Sequence, residues 1–115
     1  MNSVELTGRL TRDPEQKQNA TSFTIAVDRP ARDSSDKKAD FIRIVTFSKL
    51  AETCGRFLTK GRMVAVQGRI QTGSYQKQDG TTVYTTDVIA MNVDFMDAPK
   101  QKQPDFEQID EPVPF

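Results

Sequence analysis

The side chains of this sequence are poorly equipped for catalysis and better suited to contact with flat, charged ligands. There is no histidine and one cysteine, Cys54, and the carboxylates form no cluster with metal-site spacing. A small nuclease or hydrolase is therefore poorly supported, and no catalytic residue, metal or cofactor is expected. The informative stretch is Phe41-Ile42-Arg43-Ile44-Val45-Thr46-Phe47. If it is a strand with Ile42 and Ile44 turned to a core, then Phe41, Arg43, Val45 and Phe47 share the opposite face. Two rings flanking a guanidinium suit an unpaired nucleic-acid strand. Bases stack on aromatic rings at ~1–3 kcal/mol each, and an arginine reaches phosphate or stacks in its own right. Duplex DNA offers no exposed base faces to such rings.

The competing reading makes Phe41 and Phe47 core residues, packed beneath a helix or in an oligomer interface, since phenylalanine is usually buried. Arg43 between them weighs against it, because a buried arginine needs a partner that the sequence does not name. Tyr75 extends the platform from near the base of a hairpin, with Lys77 beside it for backbone charge. Arg29, Arg32, Lys37, Lys38, Lys49, Arg56, Lys60, Arg62 and Arg69 are further candidates for phosphate contacts, which would make affinity fall with salt. For any one of them a solvated surface is the default. Phe23, Phe57 and Phe95 sit among apolar neighbours and are assigned to the core; Tyr84 fits either environment.

These residues need elements to position them. Val4 to Leu10 alternates apolar and polar residues, the period of a half-buried strand, and Asp13-Pro14 ends it. A second alternating run (Phe23, Ile25, Val27) leads to Asp28-Arg29-Pro30 and a long polar loop from Arg32 to Asp40. Phe41 to Ser48 is the third strand. One helix follows: Leu50, Cys54, Phe57 and Leu58 recur at helical spacing, Ser48 is placed to cap the start, and Gly61 marks the end. Met63 to Thr72 and Thr82 to Phe95 are the last strands, joined through Gly73-Ser74-Tyr75 and a polar turn carrying Asp79-Gly80. Five strands with a single short helix between the third and fourth predict an all-β, antiparallel, closed or nearly closed barrel, because nothing supplies the helical crossovers of a parallel sheet.

The chain of 115 residues has room for one domain. Its formal charge of zero conceals a division at Met96. Residues 1–96 carry 14 Lys/Arg and 11 Asp/Glu, whereas residues 97–115 carry 2 and 5, a net of +3 against −3. A mildly basic body suits a polyanion, and ordinary scatter of surface charge is the alternative. After Met96 the periodicity stops, as expected of a disordered acidic tail. The expected division is thus a binding domain over 1–96 and a flexible linker with an interaction tip over 97–115. The tip Asp110-Glu111-Pro112-Val113-Pro114-Phe115 ends on apolar residues that solubility alone does not explain. No charged leader and no apolar run of membrane-spanning length is present, and a reducing, cytoplasmic setting is expected.

Several stretches resemble the bacterial single-stranded DNA-binding protein family. They are NSVELTGRLTRDP from Asn2 to Pro14, FIRIVTFSKLAE from Phe41 to Glu52, FLTKG from Phe57 to Gly61, VQGRIQT from Val66 to Thr72, YTTDV from Tyr84 to Val88, and the closing Pro114-Phe115. The resemblance implies an oligonucleotide-binding (OB) fold, a homotetramer around which single-stranded DNA wraps, and a nucleoid-associated role in replication, recombination and repair, with partner enzymes recruited through the tip. It matches Phe41, Phe47 and Tyr75 to the family's base-stacking aromatics. Two departures stand out: Ala31 replaces an aromatic common in the family, and the tail is short and lightly charged. An oligomeric OB-fold adaptor or a single-stranded RNA-binding module remains the alternative, since barrels of this kind host several ligands.

Overall fold

The alternating runs become strands, and the computed structural model, which describes residues 1–30 and 38–96, winds them into a barrel. The elements in chain order are β1 (Val4–Leu10), β2 (Glu15–Lys17), β3 (Ala20–Asp28), β4 (Ala39–Phe47), α1 (Ser48–Phe57), β5 (Met63–Gln76) and β6 (Thr82–Phe95). The sheet order is β1-β5-β6-β4-β3-β2, and pairing of Arg9 and Leu10 in β1 with Ala26 and Ile25 in β3 closes it. Closure needs a glycine at Gly8, because a Cβ there would stand 2.5 Å from the Ala26 carbonyl oxygen.

One side chain in two along these strands points inward. Leu10, Phe23, Ile25, Ile44, Val64, Val66, Val88, Ala90 and Val93 form the buried core, which Cys54 and Leu58 complete from the helical side. One buried hydroxyl joins the helix to the sheet and a second ties β4 to β3 beneath it. Thr21 Oγ1 donates to the Ala51 carbonyl at 2.8 Å and Thr46 Oγ1 to the Thr21 carbonyl at 2.9 Å, so neither is left unsatisfied.

The sequence expectation needs several corrections. A sixth strand, β2, is present; it is short and polar throughout, and it exists because Glu15, Gln16 and Lys17 pair by backbone with Ser22, Thr21 and Ala20. The barrel is not wholly antiparallel, since Ile44 and Val45 of β4 pair in parallel with Val88 and Ile89 of β6, α1 and β5 together supplying the crossover. Ser48 does not cap α1: Phe47 holds the N-cap position without a side-chain cap, and Ser48 itself adopts a φ of +58°. The helix stops at Phe57, with the Leu58 N–H returning to the Cys54 carbonyl, and Gly61 serves the later turn that reaches Leu10. Phe57 is half exposed rather than core, because at the last turn its ring lies under the Arg56 guanidinium, 5.3 Å from the ring centroid.

The strands β5 and β6 run well past the barrel as a two-stranded hairpin. Pairing continues to Gln76↔Thr82, so Tyr75 belongs to β5 and not to the loop. The turn is closed by Lys77 N–H donating to the Thr81 carbonyl at 2.8 Å and by Asp79, whose carboxylate accepts the Thr81 N–H at 2.9 Å. That bond holds the Asp79 carboxyl below its ordinary pKa.

Candidate functional site

Residues directly opposite one another in a sheet share a face. The β3–β4 pairs Ala20↔Phe47, Ser22↔Val45, Thr24↔Arg43 and Ala26↔Phe41 set large residues of β4 beside small ones of β3. Val45 is opposite Ile89 in β6, and Ile89 is opposite Arg69 in β5. Beyond that row, Gln71↔Asp87, Gly73↔Thr85 and Tyr75↔Val83 continue out along the hairpin. Phe41, Arg43, Phe47, Arg69 and Tyr75 therefore lie on one face, the face turned away from Ile44, Val64 and Val88.

That face meets solvent. Phe41 is 67% exposed, Phe47 49% and Tyr75 55%, while Ile44 between the two phenylalanines is fully buried. Phe41 and Phe47 are six residues apart on β4, roughly 20 Å at strand spacing, so each ring is a separate platform. The hairpin carries Tyr75 beyond the Phe41 end of β4. Because the neighbouring β3 positions are alanine, serine and threonine, the rings stand proud of a low floor.

The cations of the face are partly compensated. Arg43 donates from Nη1 to Asp87 Oδ2 at 3.2 Å, which supplies the partner that the sequence left unnamed; the arginine side chain remains 54% exposed. At the end of β3, Arg29 is hydrogen-bonded to Asp40 at 2.8 Å, and that bond and its charge raise the guanidinium pKa. Arg69 Nη1 donates to Gln71 on the same strand at 3.1 Å. Beside Phe41 and Arg43 lies a groove of about 430 Å³. Its opposite wall is Thr11, Arg12, Asp13 and Glu15, and its floor is Ser22, Phe23 and Thr24.

The remaining candidates are more scattered. Lys49 lines a polar notch between the start of α1 and the β2–β3 turn, with Gln16 and Asn19. Arg56 is on α1 over the Phe57 ring, and Arg62 lies over the Phe95 ring while donating to the Phe57 carbonyl at 3.1 Å; neither is on a strand of the exposed face. Lys77 is exposed at the hairpin tip. Ala31, Arg32, Lys37 and the tip from Asp110 to Phe115 lie outside the described residues. Sequence reasoning missed Asp87, because its pairing with Arg43 depends on the parallel β4–β6 contact. It also missed the Thr11–Glu15 wall, whose polar residues give no periodic signal. Tyr84 proves to be 80% exposed, on the side of the hairpin opposite to Tyr75. Among the described residues no group of His, Cys, Asp and Glu is arranged to hold a metal ion, and no helix is long and apolar enough to cross a membrane.

Comparison with known proteins places these features in context. Residues 1–96 match the Single-strand binding protein family. A single-stranded DNA-binding protein of Clostridium perfringens is 48% identical over 104 residues, covering 85% of this chain and 67% of that protein. Single-stranded DNA-binding protein 2 of Clostridium acetobutylicum is 43% identical and covers 99% of this chain and 89% of its own length. Among solved structures, the SSB of Plasmodium falciparum in complex with ssDNA superposes with a TM-score of 0.76 at 25% identity, over 84% of this chain and 96% of that one. The barrel described above is thus the OB fold that the sequence led us to expect.

Proposed function

The chain belongs to the single-strand binding protein family, and on that premise we propose that it binds and protects single-stranded DNA during replication, recombination and repair. The observation that carries this reading is the exposed row Phe41, Arg43 and Phe47 with Tyr75 beyond it, all on one face of the sheet. Rings that stay in water at the cost of their burial find compensation when bases stack on them, and no base-specific contact is required. The protein acts as a binder without turnover. Residues 1–96 are the binding domain; residues 97–115 are the appendage whose tip, Asp110 to Phe115, recruits partner enzymes by offering acids to a basic rim and the Phe115 ring to an apolar pocket.

Self-association, with the homotetramer as the expected assembly, is favoured by β1. Its last two residues, Arg9 and Leu10, pair with β3, but along Val4 to Gly8 the edge away from β5 has no partner strand among the described residues, and such an edge invites another chain. The setting we propose is cytoplasmic and nucleoid-associated.

The test is competition among matched single-stranded DNA, single-stranded RNA and duplex for a labelled oligo-dT, repeated with rising salt and with light scattering for mass. We expect single-stranded DNA to compete best and affinity to fall with salt. Equal competition by duplex would refute the stacking basis of the proposal, and preference for RNA would favour the alternative ligand.

A further inference from the structure

The exposed face contains a group that a polyanion-binding surface has no evident use for. Glu15 pairs with Ser22 across β2 and β3 and so stands on the same face as Val45 and level with it, in the lining of the groove that Phe41 and Arg43 also border. The other acid of that lining, Asp13, is committed: its carboxylate accepts the Lys60 N–H at 2.8 Å. The Glu15 carboxylate accepts no hydrogen bond and forms no ion pair among the described residues, although Arg12 lines the same groove. Left alone, its charge repels phosphate and weakens binding of any strand. A hydrogen-bond donor on the ligand offsets that repulsion directly. In the interior of a DNA strand the phosphates and deoxyriboses carry no donor, so the donors must be the N–H groups of the bases.

We propose that the groove between Phe41 and Glu15 reads the edge of one base. The base stacks against the Phe41 ring, and the Glu15 carboxylate accepts a hydrogen bond from its exocyclic amino group, as carboxylates do with cytosine N4. Cytosine is the preferred occupant over thymine, whose one N–H lies between two carbonyl oxygens that face a carboxylate unfavourably. The Ser22 and Thr24 hydroxyls at the floor and the Arg12 guanidinium in the wall are the donors available to the cytosine carbonyl. The position is a mild sequence preference within an otherwise sequence-tolerant surface, and it rests on the single-strand-binding reading given above.

The experiment compares dissociation constants for oligo-dC and oligo-dT of equal length in the wild type, Glu15→Gln and Asp79→Asn. Each variant removes one negative charge, but Asp79 is in the distal turn, outside the groove. Intrinsic differences in stacking cancel when the ratio Kd(dT)/Kd(dC) is followed from protein to protein. We expect Glu15→Gln to lower this ratio by about threefold or more, because an amide meets either base edge, while Asp79→Asn leaves it unchanged. An unchanged ratio in Glu15→Gln, with both oligomers bound more tightly to the same degree, would reduce Glu15 to a source of repulsion and overturn the proposal. Failure of the wild type to bind either oligomer would instead overturn the parent reading, and this proposal with it.

Discussion

Replacement of Phe41 by alanine separates a binding role from a packing role, because the two predict opposite sizes of effect in two assays. The ring is 67% exposed, so about a third of its surface is covered by protein. A phenylalanine side chain presents roughly 150–250 Å², and a third of that at about 25 cal/mol/Å² gives ~1–2 kcal/mol as the ceiling on lost folding stability. A buried phenylalanine costs ~3–5 kcal/mol when truncated, and Phe23, 4% exposed, is the internal comparison. Loss of one stacked base costs ~1–3 kcal/mol of binding, a rise in Kd of roughly 5- to 150-fold. Anisotropy titration of labelled oligo-dT, together with urea unfolding of the same preparations, reads both quantities. Phe41→Ala is expected to bind weakly and unfold nearly as the wild type does; Phe47→Ala and Tyr75→Ala should behave alike. Wild-type affinity combined with a loss of stability on the scale of Phe23→Ala would show that the ring serves packing, and the assignment of the face would fail.

Other perturbations test neighbouring parts of the account. Asp87→Asn frees Arg43 and removes a negative charge from the face, so oligo-dT binding at low salt should tighten and the slope of log K against log[salt] should steepen by about 0.7, the value for one additional single-strand phosphate contact. Deletion of Asp110 to Phe115 should leave strand binding intact, or strengthen it at low salt, while abolishing pull-down of partner enzymes; full retention of partners would refute the role given to the tip. Burial pushes the Cys54 thiol from about 9 up to about 11, so the folded state holds its proton over an interval in which the unfolded state loses it. The resulting stabilisation, about 2–3 kcal/mol, is present below pH 9 and lost as pH rises toward 11; a Cys54→Ala variant should lack that component of the alkaline decline in urea unfolding.

The legible part of the fold was the part written in side-chain period. Val4 to Leu10 and Phe23 to Val27 alternate, and each is a strand with its larger apolar members inward, while Phe41 to Phe47, dense in β-branched and aromatic residues, is a strand with Ile42 and Ile44 inward and both rings outward. What escaped was written in backbone pairing. Glu15-Gln16-Lys17 has no apolar residue, so β2 could be found only from its position beside β3. The Arg43–Asp87 contact joins residues 44 apart and depends on which strands become neighbours, a property of closure and not of local pattern. Phe57 departs from the expectation because helical spacing places it on the apolar stripe, whereas α1 ends there and the core is completed by Cys54 and Leu58 on either side of it, leaving its ring half exposed under Arg56. At the candidate site, strand parity brought Phe41, Arg43 and Phe47 together, but the placement of Tyr75 and Arg69 on the same face needed the register of β5 against β6 and of β6 against β4.

The chain has no tryptophan and two tyrosines, and these lie on opposite sides of the hairpin. Intrinsic fluorescence therefore reports on each side in turn: Tyr84→Phe leaves Tyr75 as the emitter, and Tyr75→Phe leaves Tyr84. Saturating oligo-dT should quench the first protein strongly and the second weakly, since a stacked base contacts only the side shared with Phe41 and Arg43. Strong quenching in Tyr75→Phe with little in Tyr84→Phe would place the strand on the wrong side of the sheet and contradict the account.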